Sequence, residues 1–312
     1  MRKTCLETVF ELAKTNKKVV FIGSDLGPGV LDNFKKKFPD RFFMEGVAEQ
    51  AIIGMSAGLA MQKFRPYVNT IATFITRRCF EQVVIDLCLH NLPVTLVGNG
   101  GGMVYAPLGP THQAIEDISI MRTLPNLTII SPCDAHEMKN LVLQTIKIKG
   151  PIYIRIARGG EKVVTEGFKS KIGKALVLKK STKYNFLTTG ITAQIALDAA
   201  LKIKKKYNKD VGVVHFSTIK PLDKVLLKKL ITNSKKLITV EENVVEGGFG
   251  SSILEFCSTM NDKRKKSDIK ILGLKSSFSN KYGTQDQILK YNNLQDDFLC
   301  KKMYKLILDD KF

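Results

Sequence analysis

Short apolar stretches rich in Val and Ile alternate with longer amphipathic ones along almost all of the 312 residues. "KKVVFIGS" reads as a buried strand and "GVLDNFKKKF" as a helix. "RFFMEG" and "RPYVNTIAT" read as short strands flanking a helix, and "FITRRCFEQVVIDLCLHN" as a long helix. "PVTLVGNGGG" and "LTIISP" are strands, "DAHEMKNLVLQTIK" a helix with Asp134 as N-cap, and "PIYIRIAR" a strand. Strands separated by helices imply a mostly parallel sheet covered on both faces. The rhythm breaks near residues 160–183, where "GGEKVVTEGFKSKIGKALVLKKSTKY" reads as a charged linker with a short strand. It resumes with strands "NFLTTG", "VGVVHFS", "KLITVEE" and "IKILGL". Between and after them come helices "TAQIALDAALKIKKK", "DKVLLKKLITN", "SSILEFCSTM" and "DDFLCKKMYKLILDD". The fold class is therefore α/β, with two doubly wound units. A mostly parallel-sheet domain is expected over 1–170 and a smaller α/β domain over 171–312.

Composition narrows the function. No apolar run reaches the roughly 18–20 residues of a spanning helix, so no membrane partner is expected. The start, "MRKTCLETVFELAK", sets Glu7 and Glu11 among apolar residues, which suits an amphipathic helix and not a signal peptide. A cytoplasmic protein is expected. The six cysteines form no CxxC pair, so buried reduced thiols are expected, with no metal site and no disulfide framework. The net charge of +20 raises a nucleic-acid reading. The lysines are scattered, with no basic-aromatic module among them. They read as a solvated basic surface able to attract anionic substrates.

In such folds the loops at sheet ends carry ligands. Here these are "GSDLGPG", "GNGGGMVYAPLGPTHQ" and "EENVVEGGFG". One acid stands out. In "RFFMEGVAEQAIIGMSAGLA", Glu49 opens a helix of small and apolar residues that reads as buried and packed closely on a neighbour. It is either an N-terminal acid held by the macrodipole or a desolvated carboxyl able to share a proton with a nitrogen base. His112 follows Pro and Gly turns, and Gly100, Gly101 and Gly102 permit close backbone approach to a pocket there. Phe74 is either core or a ring face for a planar heterocycle. Arg122, Arg155 and Arg158 are either phosphate clamps or ordinary salt-bridge partners.

In order, "IGSDLG", "RFFMEGVAEQAIIGMSAGLA", "ATFITRRCFEQV", "GPTHQAIEDI" and "RIARG" resemble the pyrimidine-binding half of transketolase and its relatives. "TIKPLD", "VEENVVEGGFGSSI" and "YGTQDQIL" resemble their C-terminal domain. The resemblance spans essentially the whole chain. It implies thiamine diphosphate as cofactor, with Glu49 hydrogen-bonded to the aminopyrimidine ring nitrogen and promoting its imino tautomer. Phe74 would stack on that ring, Asp25 would lie near it, and Arg77 and Phe80 would complete the cofactor contacts. His112 would act on the reacting carbonyl or substrate hydroxyls. Arg158 would bind a substrate phosphate, aided by Arg122 and Arg155.

The family's GDG…Asn motif for diphosphate and Mg2+ is absent, and Leu108 stands where many transketolases carry an acid before "GPTH". The resemblance thus implies the C-terminal subunit of a split transketolase. Its partner would be an N-terminal subunit holding diphosphate and Mg2+, in an α2β2 heterotetramer acting on an anionic sugar. Three alternatives stay open: the β subunit of a 2-oxo-acid dehydrogenase, a deoxyxylulose-phosphate-synthase-like enzyme, and an inert scaffold.

Overall fold

The computed structural model describes residues 1–24, 29, 31–157, 159–260 and 267–309. Asp25 and Arg158, two of the expected site residues, lie outside them. The chain runs α1 (Arg2–Thr15), β1 (Val19–Gly23), α2 (Asp32–Lys37), β2 (Phe42–Met44), α3 (Glu49–Met61) and β3 (Arg65–Ile71). A helical stretch follows, wound as π-turns over Phe74–Arg78 and Val83–Leu89, with α4 (Phe80–Gln82) between them. Then come β4 (Thr95–Asn99), α5 (Asp117–Arg122), β5 (Thr128–Ile130), α6 (Ala135–Thr145) and β6 (Ile152–Ile156). The second run is β7 (Leu176–Lys179), β8 (Tyr184–Thr188), α7 (Thr192–Tyr207), β9 (Gly212–His215), β10 (Thr218–Lys220), α8 (Lys224–Asn233) and β11 (Lys236–Val244). It closes with α9 (Phe249–Ser258), β12 (Asp268–Leu274), α10 (Gln285–Tyr291) and α11 (Asp296–Asp309).

Two sheets result. The first has the order β10-β5-β6-β4-β3-β1-β2 and the second β12-β11-β8-β9-β7. Every pairing is parallel except β10 with β5 and β7 with β9. The parallel strands are buried on both faces, as helical crossovers require. On β1, Val19 and Phe21 face one core with α1 and α6, while Val20 and Ile22 face another with α3 and the second π-turn. On β11, Leu237 joins the core under α8 and α9, and Ile238 the core under α7 and α11. β10 belongs in sequence to the second run yet adds to the edge of the first sheet. The two units therefore share a sheet edge as well as a side-chain seam.

Asp134 caps α6 as expected, accepting from the Glu137 amide. Two expectations are corrected. The helix expected over 74–91 is largely π-wound, which changes which side chains share a face. And α3 is buried on one side only. Ile52, Ile53, Ser56, Ala57 and Ala60 are inside, while Gln50, Ala51, Gly54, Gly58 and Met61 are exposed. A methyl group added at Gly58 would meet nothing within 4 Å, and one at Gly54 only the Asp86 carboxylate at 4.0 Å. Of the small residues expected to pack on a neighbour, Ser56, Ala57 and Ala60 face the core, while Ala51, Gly54 and Gly58 face outward.

Candidate active site

The site lies at the carboxyl ends of β1 and β3. Glu49 is the first residue of α3, and its side chain is 3% exposed. A helix start suits a carboxylate because the first amides have no partners within the helix. The Arg78 Nη1 group donates to Glu49 Oε2 at 2.6 Å. On the other carboxylate oxygen, the Thr70 hydroxyl is a long donor at 3.5 Å, and Thr70 in turn accepts from Ser24 Oγ at 2.6 Å.

Phe74, partly buried, starts the first π-turn. The Arg78 guanidinium lies 4.3 Å from its ring centroid. The His112 ring meets the Phe74 ring edge-on, with centroids 5.2 Å apart. Glu49, Arg78, Phe74 and His112 thus form one run of direct contacts. His112 is carried on a turn in which its amide donates to the Gly109 carbonyl at 3.0 Å, and Gly109 has φ of +77°. Its Nδ1 lies 2.9 Å from the Thr111 hydroxyl. Arg77 fastens this loop, ion-paired with Glu116 and donating to the Gln113 carbonyl. Burial raises the Glu116 carboxyl above its ordinary range, and the Arg77 charge opposes that rise. Arg77, Ile115, Glu116, Val244 and Phe278 line an open cavity of about 330 Å³ beside the loop.

Other expected residues lie elsewhere. Arg155 is buried in the seam between the units. Its Nε donates to Asp117 at 2.8 Å, and its Nη2 donates to the carbonyls of Ala114 and Glu242 at 3.0 and 2.8 Å. These bonds commit its guanidinium internally. Arg122 is held by Glu255 and the Gly247 carbonyl. Phe80 packs on the hydrophobic core. At Gly100, Gly101 and Gly102 the chain's own side chains take up the space a Cβ would need, since added methyl groups would strike Tyr105, Arg155 and Glu242 respectively. Leu108 is 55% exposed in a short turn.

The contact sequence reasoning missed is Arg78. Phe74 and Arg78 are four apart, a spacing that shares a helical face. Arg77, the neighbour expected at the cofactor, turns to the His112 loop instead.

A second polar cluster ties the units together away from this site. The His215 Nε2 on β9 lies 2.9 Å from Glu137 Oε2 on α6, and the Cys133 amide donates to the same oxygen at 2.9 Å. Among the described residues, Cys133, Glu137 and His215 are the one group of potential metal ligands found close together, and all three are buried. Burial raises the Glu137 carboxyl, but His215 and the hydrogen bonds outweigh it, and the net shift is downward.

The fold and this site define a two-domain α/β protein with a buried carboxyl and an aromatic platform at the ends of parallel strands. Residues 1–160 match the family description "Transketolase, pyrimidine binding domain", and residues 173–291 match "Transketolase, C-terminal domain". The chain belongs to the transketolase family, where it corresponds to the C-terminal half of a transketolase-like enzyme. It is 35% identical over 304 residues to 1-deoxy-D-xylulose-5-phosphate synthase of Clostridium perfringens, covering 96% of this chain and 48% of that one. The chain thus spans about half the length of such relatives. It is 31% identical over 309 residues to the B subunit of apulose-4-phosphate transketolase from Phocaeicola vulgatus, covering 98% of this chain and 97% of that one. A solved split-gene transketolase, an inactive beta4 tetramer, superposes with a TM-score of 0.88 at 30% identity over 97% of each chain. A Pichia stipitis transketolase at 19% identity shares the fold, with a TM-score of 0.82.

Proposed function

We propose that this chain is the C-terminal subunit of a two-subunit, thiamine-diphosphate-dependent transketolase that moves a two-carbon ketol unit from a ketose to an aldose. Its pyrimidine-binding unit would be residues 1–170 and its C-terminal unit residues 171–312. The observation that carries the reading is the pairing of Glu49 with Phe74. A planar nitrogen-bearing group already rests on the Phe74 ring and on the Glu49 carboxylate: the guanidinium of Arg78. An aminopyrimidine needs the same two contacts, a ring face and an acid for its ring nitrogen.

When bound, thiamine diphosphate supplies a carbon nucleophile and holds the negative charge left by carbon–carbon cleavage. Glu49 would hold and exchange the proton at the pyrimidine ring nitrogen, a role favoured by its shielding from water. Phe74 would fix the ring plane. His112, in contact with Phe74, would reach the substrate oxygen nearest that plane. Asp25 and Arg158 keep the roles the family resemblance implies, near the cofactor and at the substrate's anionic group. Arg122 and Arg155, bonded within the chain, are left out of that set.

A separate partner polypeptide is supported by the Phocaeicola relative, which is named as one subunit of its enzyme and is matched over nearly its whole length. The partner would bring diphosphate and Mg2+ ligands, in an α2β2 assembly. The outward face of α3 suits such packing. Val47, Met61 and, on the adjoining π-turn, Ile85 and Leu89 are exposed there beside Gly54 and Gly58. An anionic sugar is supported by the phosphorylated sugars in the relatives' names. A second reading, a deoxyxylulose-phosphate-synthase-like reaction, is favoured by the 35% identity to the Clostridium enzyme.

Calorimetry tests the two-polypeptide reading. The isolated chain should show no Mg2+-dependent binding of thiamine diphosphate, and adding the partner should create it. Tight binding by the isolated chain would sink the split-enzyme reading. Release of CO2 from pyruvate by the pair, without ketol transfer from a ketose phosphate, would select the second reaction.

A further inference from the structure

Arg78 has an unusual pair of attachments. Among the described residues its one hydrogen-bond partner is Glu49. Its plane rests on Phe74. Its side chain is nonetheless 41% exposed, whereas Glu49 beneath it is 3% exposed. Arg77, one residue earlier, is bound to Glu116 and to loop carbonyls. So Arg77 is built into the wall, and among the described residues Arg78 is held by the two groups that a cofactor ring would need. A ring nitrogen cannot reach a carboxyl so covered until something moves. The exposed side chain with one anchor is the group free to move.

We propose that Arg78 is a placeholder for the aminopyrimidine. It rests on Phe74 and closes Glu49 while the cofactor is absent, and it must swing outward when the ring enters. The inference rests on the cofactor reading above and adds a positioning residue to it. Arginine suits the task, since its guanidinium is planar, always charged, and able both to stack and to donate. It keeps the shielded carboxylate paired before assembly, when an unpaired buried charge is costly. The same pairing taxes binding. If only about 10–30% of molecules have Arg78 displaced, the apparent affinity falls by that fraction, about 3- to 10-fold.

The test is titration of the reconstituted pair with thiamine diphosphate at fixed Mg2+, for the wild type, Arg78→Gln and Arg78→Lys. The expected result is a Kd about 3- to 10-fold lower for Arg78→Gln, with Arg78→Lys between, because an ammonium keeps the charge and loses the plane. A second readout needs no cofactor. Arg78→Gln should lower the melting temperature of the unliganded chain, and adding Glu49→Gln should recover most of the loss. If Arg78→Gln folds poorly, Arg78→Lys and the double variant carry the comparison. Unchanged or weaker cofactor binding by the Arg78 variants, beside normal binding by the wild type, overturns the placeholder and makes Arg78 a support of the bound ring. No binding by the wild-type pair overturns the cofactor reading, and the placeholder with it.

Discussion

Glu137 on α6 and His215 on β9 meet 2.9 Å apart, both fully shielded from water, across the seam of the two units. A buried hydrogen-bonded pair contributes modestly while intact, but losing one partner leaves the other's buried polar atom without its bond. Together with Arg155, which donates to the Glu242 carbonyl at 2.8 Å, and with the Glu242 carboxylate, which accepts from the Met103 amide at 2.9 Å, this contact fixes the units as one body.

Glu137→Gln should therefore cost roughly 1–3 kcal/mol at neutral pH, because it disturbs a buried oxygen that accepts from the Cys133 amide and meets His215. The dependence on pH has a definite sign. The folded Glu137 carboxyl titrates below its ordinary value, so the unfolded chain takes up its proton first on acidification. The stabilisation is present above the unfolded carboxylate value and is lost as pH falls through the lower folded value. Urea unfolding at a series of pH values should show the gap between wild type and variant closing in acid. A gap that widens in acid would contradict the assignment.

Arg155→Met should destabilise the chain more, by roughly 3–5 kcal/mol, because Asp117 is left buried without its cation. The thermal melt of the isolated chain is the check. An unchanged melt, with KM for a sugar phosphate raised in the reconstituted pair, would return Arg155 to the substrate site.

The outward face of α3 gives a two-sided prediction. Gly58→Ala should stabilise the isolated chain by about 0.5–1 kcal/mol, since alanine is the better helix former and nothing obstructs its methyl group. Gly58→Leu should leave the isolated chain folded but block assembly with the partner. Light scattering on the mixed polypeptides reads this directly. Normal assembly of the leucine variant would remove α3 from the proposed interface.

The strands were legible because burial on both faces leaves uninterrupted apolar runs, as in Val19–Ile22. Glu49 was legible as a buried acid because it opens a helix whose neighbours are small and apolar. Other features were not. β10 is three residues long and is defined by a partner strand some ninety positions earlier, so no local pattern marks it. The glycines of α3 announce a close approach without saying whether the neighbour lies in the same chain. Gly100, Gly101 and Gly102 made the same kind of announcement, and the chain's own Tyr105, Arg155 and Glu242 fill the space. Arg77 and Arg78 are alike in sequence. The π-winding after Phe74 sends one to the His112 loop and the other to Glu49.

Hydrogen–deuterium exchange at C2 of thiamine diphosphate in the reconstituted pair, comparing wild type with Glu49→Gln, probes the role of the buried acid without intermediary. The amide preserves shape and hydrogen bonding and removes the exchangeable carboxyl proton. A proton-handling Glu49 predicts a fully assembled, cofactor-bound variant whose exchange is slower by on the order of 10²–10⁴-fold. Exchange at the wild-type rate would contradict that role and leave Glu49 as nothing more than the charged start of a helix.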